Sequence, residues 1–544
     1  MPLEIGRREL VLSAGLGMSA LALMGSGAAA QLLAARGFTH GVASGEPGPA
    51  SILLWTRFVA GNGSDTRLTV EISEATDFRV IRAGGSAHAR RDGDFTARTV
   101  IGGLDPGRWY FYRFVSADGA VSPVGRTRTL PVGSVARFCL GVFSCANLPA
   151  GWFNAYAHAA ARDDIDLMVH TGDYFYEYPL GYYPRANRMV AGRVMEPPTE
   201  AIRLADYRLR LASYRADPDL QRLHQMFPMI AQRDDHELAN DSWAHGAENH
   251  TPDEGDYEAR KRASIRAYDE WLPVSGRAWS SYEVGDLATI FRPETRLTAR
   301  SAWLDTRPVA DAPGDPVANL IALRDGPLAD PKRTLMGDAQ EQWLYQGMAQ
   351  SKRRGAKWQV VAQQVLVGQQ KLPELPQAML SNLKLPPEGA AYLRAINASA
   401  KAGLPADLDG WAGFPAARAR FLSAAQQADA DLIVLSGDSH NAWAFDLAQD
   451  GKPAGVEFGG HSVTSAGLEE YISVPPALVG QFFINASPEL KWAETSSRGY
   501  MAVELTPDKV TGEWVFMDGI ATRSLATRQG HKMQVERGRR VFAA

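Results

Sequence analysis

Cysteine is almost absent: Cys139 and Cys145 are the two in a chain of 544 residues, which excludes a fold stapled by a disulfide framework. An extended strand running from one to the other would separate them by about 20 Å, beyond disulfide reach unless the chain turns sharply. An ordinary disulfide or two buried thiols are the structural readings, and a free Cys145 is a candidate ligand. Excess charge is lacking too. A net charge of −4 and a pI near 6.3 argue against broad electrostatic binding to nucleic acid or anionic membranes, so phosphate recognition has to be local. The sequence carries no internal repeat, no low-complexity tract and no serine in a convincing activation motif, so a covalent serine intermediate is not expected.

What is present is a composition 45% hydrophobic and 22% charged, ample for a large core and at least two domains. Arg7-Arg8 precede a Gly- and Ala-rich apolar stretch and Ala28-Ala29-Ala30, the layout of a twin-arginine signal peptide over residues 1–30. The repeated glycines weaken the alternative of a stable membrane anchor. A mature chain beginning near Gln31, periplasmic or secreted, is the expectation. Its export partner would be the twin-arginine machinery.

Residues 31–132 read as a small all-β domain. Ser51 to Thr56, Leu68 to Ser73 and Trp109 to Phe114 alternate or run apolar between Gly, Asp and Pro turns, which suggests an immunoglobulin- or fibronectin-like sandwich with Phe111 and its neighbours in the core. Residues 133–544 form the expected catalytic domain, with a strand–helix–strand pattern. Arg137 to Phe143, Asp166 to His170, Phe227 to Ala231, Trp358 to Ala362 and Asp431 to Leu435 are short apolar strands, each followed at once by polar residues. In an open α/β sheet such strand ends converge on one rim.

Those ends carry metal-ligand chemistry. Cys145 offers a thiolate, Asp173 a carboxylate after a glycine, and Tyr176 a phenolate three residues on; thiolate and phenolate together favour trivalent iron over magnesium. Packing of Tyr174, Phe175, Tyr176 and Tyr178 as an aromatic loop is the structural alternative. Asp235, His236 and Asn240 offer oxygen and nitrogen donors for a second metal or a phosphate oxygen, and Asp438 and His440 follow a glycine at another strand end. Tyr207 to Pro218 is rich in arginine, either a phosphate-attracting wall or, as favoured here, a solvated helix face with ion pairs. Ile265, Tyr268 and Trp271 form a core stripe at helical spacing. The stretch from Lys371 to about Ala406 reads as a long loop or helical excursion.

The ordered set Gly41 to Pro47, Ser144-Cys145, Gly172 to Tyr178, Asp234 to Glu237 with Asn240, Gln340 to Leu344, Gln363 to Val365 and Gly437 to His440 resembles the alkaline phosphatase D (PhoD) family of metallophosphatases over nearly the whole chain. The resemblance implies a metallophosphoesterase-like four-layer αββα sandwich behind the β domain, with Fe3+ and Ca2+ as cofactors and phosphate esters as substrates. By motif, it implies Cys145, Asp173, Tyr176, Asn240, Asp438 and His440 as metal ligands. Asp235, His236 and Arg296 would act at the phosphate. Glu294 stands where the family has Asp before Thr-Arg, Leu304 to Arg307 offers a competing register, and Arg233 replaces a common aromatic. The expected reaction is in-line attack on a monoester by a metal-held hydroxide or oxide. Hydrolysis of phosphodiesters, lipid or polymeric, and metal or phosphate binding without turnover are the alternatives.

Overall fold

A computed structural model describes residues 29–372, 374, 387–472 and 474–543; nearly all of the expected signal peptide lies outside them. Two sheets stack face to face. In the nine-stranded sheet the strands Gly499–Leu505, Phe138–Phe143, Leu167–His170, Pro228–Ala231 and Gly37–Gly45 lie side by side. In the seven-stranded sheet the order includes Ala288–Arg292, Trp358–Ala362, Leu432–Ser436 and Lys452–Gly459. Leu140, Val142, Val169 and Ile230 of the first sheet meet Ile290, Val360, Ile433 and Leu435 of the second in one apolar layer. Strands buried on both faces read as unbroken apolar runs, which is why Phe138–Phe143, Leu167–His170, Pro228–Ala231, Trp358–Ala362 and Leu432–Ser436 were visible in the sequence.

Helices cover both outer faces. Helices Asn154–Ala160, Leu204–Arg215, Pro218–Met226 and Tyr257–Trp271 seal the nine-stranded sheet, Tyr268 and Trp271 facing inward and Ile265 half-buried beside them. Helices Asp338–Arg353 and Pro415–Gln427 seal the other through Leu344, Met348, Phe421 and Leu422. The result is the four-layer αββα sandwich. No helix among the described residues is long and apolar enough to cross a membrane.

The amino-terminal sandwich is present but does not stand apart. Its four-stranded sheet, Ala83–Ala89, Thr66–Ser73, Trp109–Ser116 and Gly125–Arg128, packs through Val70, Ile72, Tyr112 and Phe114 onto Ile52 and Leu54. The opposing strands Gly37–Gly45, Ser51–Val59 and Thr96–Gly102 belong to the nine-stranded sheet, because Gly37–Gly45 runs parallel to Pro228–Ala231 with Ser44 opposite Pro228 and Gly45 opposite Met229. Strand alternation also corrects Phe111: Tyr110, Tyr112 and Phe114 are buried, while Phe111 faces the other side and is half-buried.

Arginine burial departs from expectation as well. Arg208 does pair with Glu270 at 2.6 Å. Arg210, however, is fully buried and donates to the carbonyls of Tyr176, Tyr178, Glu196, Pro197 and Thr199, so it clamps the loop that carries Tyr176. A planar fork with five donors can end in a ring of carbonyls without a carboxylate. Cys139 and Cys145 are both free and buried.

His40, buried where the sandwich meets helix Tyr257–Trp271, has its ring 4.9 Å from that of Trp271. Burial, helped by the Arg57 and Arg215 charges, lowers its pKa from 6.5 to about 3. Below pH 6.5 the unfolded chain therefore takes up a proton that the folded chain refuses, so this contribution to stability is full above 6.5 and is lost as pH falls towards 3. At pH 5 the loss is about 2 kcal/mol. In His40→Gln the drop in unfolding free energy between pH 7 and pH 5, read from denaturant titrations, should shrink by about that amount; an identical drop in both proteins would refute the assignment.

Candidate metal centre

The rims of the two sheets meet where the strands end. Two glycines permit the approach. A side chain at Gly172, φ +121°, would meet Asp234 Cβ at 2.3 Å, and one at Gly437 would meet Thr171 Oγ1 at 2.5 Å. Cys145, Asp173, Asp438 and His440 all hold left-handed backbones, with φ of 59°, 53°, 61° and 60°. Non-glycine residues in that region cost strain, and such strain gathers at functional sites. Here each turn aims a side chain back over the strand ends.

Three donor groups result. Cys145, Asp173 and His440 bring ligand atoms within 4.8 Å of one another; so do Asp173, Asp235 and His236, and Asp173, Asp234, Asp235 and Asp438. Asp173 belongs to all three. The Tyr176 hydroxyl lies 3.1 Å from Asp173 Oδ2 and 3.0 Å from His440 Nε2, and accepts from Ser465 Oγ at 2.6 Å. His440 Nδ1 faces the Ala466 carbonyl at 2.7 Å, which leaves Nε2 towards the cluster. Burial lowers the pKa of this imidazole from 6.5 to about 3 and keeps it neutral, the form in which an imidazole can bind a metal.

Burial also pushes the Cys145 thiol, the Tyr176 phenol and the Asp173, Asp234 and Asp438 carboxyls well above their ordinary values. Asp173 Oδ1 and Asp234 Oδ2 are buried without a protein partner. So many largely buried anionic donors in one place need concentrated positive charge to ionise together. The donor set fits metal ions: soft thiolate with phenolate and imidazole on one side of Asp173, carboxylates on the other.

Two glutamates brace the turns. Glu237 accepts from the backbone of Asp234 at 2.6 Å, of Asp173 at 3.1 Å and of Tyr174, tying two strand ends together. Glu177 accepts from His236 Nδ1 at 2.8 Å and from the Asn240 backbone at 2.8 Å, which fixes the imidazole and turns its Nε2 away from Glu177. Burial alone would lower the His236 pKa, yet Asp235, Glu177 and Asp173 together hold it well above its ordinary value. Asn240 lies at the edge, half-buried, with its side-chain amide 3.3 Å from Glu248. Arg296 is fully buried among carboxylates: it binds Asp234 and Asp409, with Asp438 at 3.4 Å and Asp235 at 3.8 Å. Glu294 caps its turn, accepting from the backbones of Arg296 at 2.9 Å and of Leu297 and Thr298 at 2.7 Å each. The rival Arg307 starts a surface helix, beside Asp305. Arg233 turns away from the cluster to Asp269 at 3.1 Å.

Two models of known families match this chain: PhoD-like phosphatase over residues 140–514 and PhoD-like phosphatase, N-terminal domain, over residues 25–131. The chain belongs to the PhoD-like phosphatase family. It is 31% identical over 451 residues to alkaline phosphatase D of Bacillus subtilis (strain 168), covering 79% of this chain and 70% of that one. A solved PhoD structure superposes with a TM-score of 0.74 at 26% identity over 94% of this chain and 92% of its own. The purple acid phosphatase PPD1 of yellow lupin shares the fold, with a TM-score of 0.55 at 11% identity over 91% of this chain and 74% of its own. This PhoD-like chain is thus a phosphatase of metallophosphatase fold, and the three donor groups lie where its strand ends meet.

Asp234, Glu177 and Glu237 lie in motifs that the sequence singles out but have no role assigned there, and Asp409 lies outside every motif. Asp234 could have been found, since it adjoins Asp235 at the same strand end. Asp409 carries no such signal: it follows the excursion after Lys371, whose end packs Leu404 and Leu408 on Leu320 and Leu323.

Proposed function

We propose that the protein is an exported, metal-dependent phosphatase that hydrolyses phosphate monoesters. The sharing of Asp173 among three donor groups of different character carries this reading. Fe3+ would be held by Cys145, Asp173, Tyr176 and His440, and Ca2+ by the oxygen-rich side, with Asp173, Asp234, Asp235 and Asp438 and with Asn240 at its edge. Bound there, the metals supply charge against the ester oxygens and water of lowered pKa as nucleophile. The protein's own part is positional. Glu177 aims His236 so that its Nε2 can hydrogen-bond an ester oxygen and hold a proton for the departing alkoxide. Arg296, spent on carboxylates, keeps Asp234, Asp235 and Asp438 in register instead of gripping phosphate directly. Export by the twin-arginine route rests on Arg7-Arg8 and the Ala-rich segment that follows.

The test is a paired assay on protein matured by its own export system, with a chromogenic monoester and the corresponding bis-ester. Faster turnover of the monoester supports the proposal. Faster turnover of the bis-ester would make the protein a phosphodiesterase, and full metal content with neither ester hydrolysed would make it a binding protein.

A further inference from the structure

The torsion that turns a glutamate's carboxylate is broad, so the plane of Glu177, which fixes His236, has to be set by donors from elsewhere in the chain. Its Oε2 accepts from His236 Nδ1 at 2.8 Å, while Oε1 accepts from the Asn240 backbone at 2.8 Å and from the side-chain amide of Asn249 at 3.2 Å. The same amide nitrogen donates to Glu200 Oε1 at 3.0 Å, so its two hydrogens are spent on two carboxylates. Carboxylate oxygens on both sides also decide which end of the amide is nitrogen.

Asn249 is itself tied to the helices that cover the sheet. Arg260, buried on helix Tyr257–Trp271, reaches the Asn249 carbonyl at 3.1 Å through Nη1 and Glu200 Oε1 at 2.8 Å through Nη2, which closes a ring of bonds around Asn249. Its Nε donates to the Tyr207 hydroxyl on helix Leu204–Arg215 at 3.0 Å. The Asn249 backbone N–H meets the Asn240 carbonyl at 3.3 Å, a contact that any side chain at 249 would keep. A path from the helical layer to His236 thus runs through one amide. Partners anchored on rigid elements hold a reacting group in its geometry, and a small misplacement costs rate more than binding. We propose that Asn249 is a positioning residue, acting through Glu177 to hold His236 where it protonates the leaving group. In the step served, the nucleophile's oxygen bonds to phosphorus, the bond to the ester oxygen breaks with its electron pair, and that oxygen takes the proton of His236 Nε2 to leave as an alcohol. The inference rests on the assignment of His236 as the proton donor of a phosphatase.

Leaving groups tell this role from a structural one. Nitrophenolate departs without a proton, whereas the alkoxide of glycerol phosphate needs one. In metal-loaded Asn249→Ala, kcat for glycerol phosphate should fall at least about tenfold further than kcat for 4-nitrophenyl phosphate, a share of the roughly 10²- to 10⁴-fold that a placed proton donor contributes, with KM for both within about twofold of the parent. Asn249→Leu, close in shape and without a donor, should do the same. His236→Ala should lower the alkyl-to-aryl ratio at least as far, and adding Asn249→Ala to it should lower the ratio no further. Equal losses on both esters in Asn249→Ala and Asn249→Leu, with metal still bound, would make Asn249 merely structural and overturn the proposal, as would a further fall in the double variant. If His236→Ala itself leaves the ratio unchanged, it is the proton-donor assignment that fails, and the positioning role falls with it.

Discussion

Asp173→Asn should all but abolish hydrolysis while leaving the fold in place. The loss expected is at least about 10³-fold in kcat/KM, or about 4 kcal/mol of transition-state stabilisation. An amide cannot bridge metals as a carboxylate does, and Asp173 is the member common to all three donor groups, so one atom change weakens each of them. The backbone has no reason to move. Asp173 holds φ of 53°, a region that Asn tolerates as well as Asp, and its N–H is held by Glu237 whatever the side chain. Burial, with Asp235, Glu237 and Asp438 nearby, disfavours the ionised carboxyl at this position. In metal-free protein the neutral amide should therefore unfold at the same temperature as the parent or higher. The decisive pair of readings is activity after metal loading and melting after chelation. Near-normal turnover in the variant would sink the site assignment; lost turnover with a melting point far below the parent's would show only that the turn had collapsed.

How much of this could be read beforehand depends on what kind of contact each residue makes. Cys145, Asp173, Asp235 and Asp438 were legible because a strand buried on both faces is an unbroken apolar run, and the residues just past it stand at a rim. The sandwich was legible from its alternation, but its fusion with the large sheet was not: the pairing of Ser44 with Pro228 joins residues far apart in sequence, and neither has a side chain that advertises it. Glu237 and Glu177 lie inside motifs singled out at once, yet their work is to accept from backbones of other loops, which only the folded arrangement brings near. Arg210 misled for the same reason. Its neighbours on the helix suggest solvent and ion pairs, as Arg208 confirms, while its partners are carbonyls supplied by two other loop segments.

Tyr176→Phe should separate iron chemistry from the other metal reading. The phenol is buried, 3.1 Å from Asp173 and 3.0 Å from His440, and burial holds it well above its ordinary pKa, so it ionises only against a strong cation. Phenolate on trivalent iron colours a protein by ligand-to-metal charge transfer; phenolate on zinc or calcium does not. The wild type purified from its own export system should absorb in the visible, and the variant should lose most of that band along with at least about 10- to 100-fold in activity, the cost of losing even a partner that only orients a metal's ligands. Phenylalanine keeps the ring that packs 4.2 Å from His236, so a gross packing defect is not expected and the melting temperature should report none. If the band survives in the variant with iron still bound, the colour belongs to the Cys145 thiolate, and Cys145→Ser becomes the informative change. A wild type that is colourless, contains only zinc and is fully active would remove iron from the mechanism. Thiol and phenol would then be buried neutral groups beside an oxygen-ligated site, the phenol held by its contacts to Ser465, Asp173 and His440.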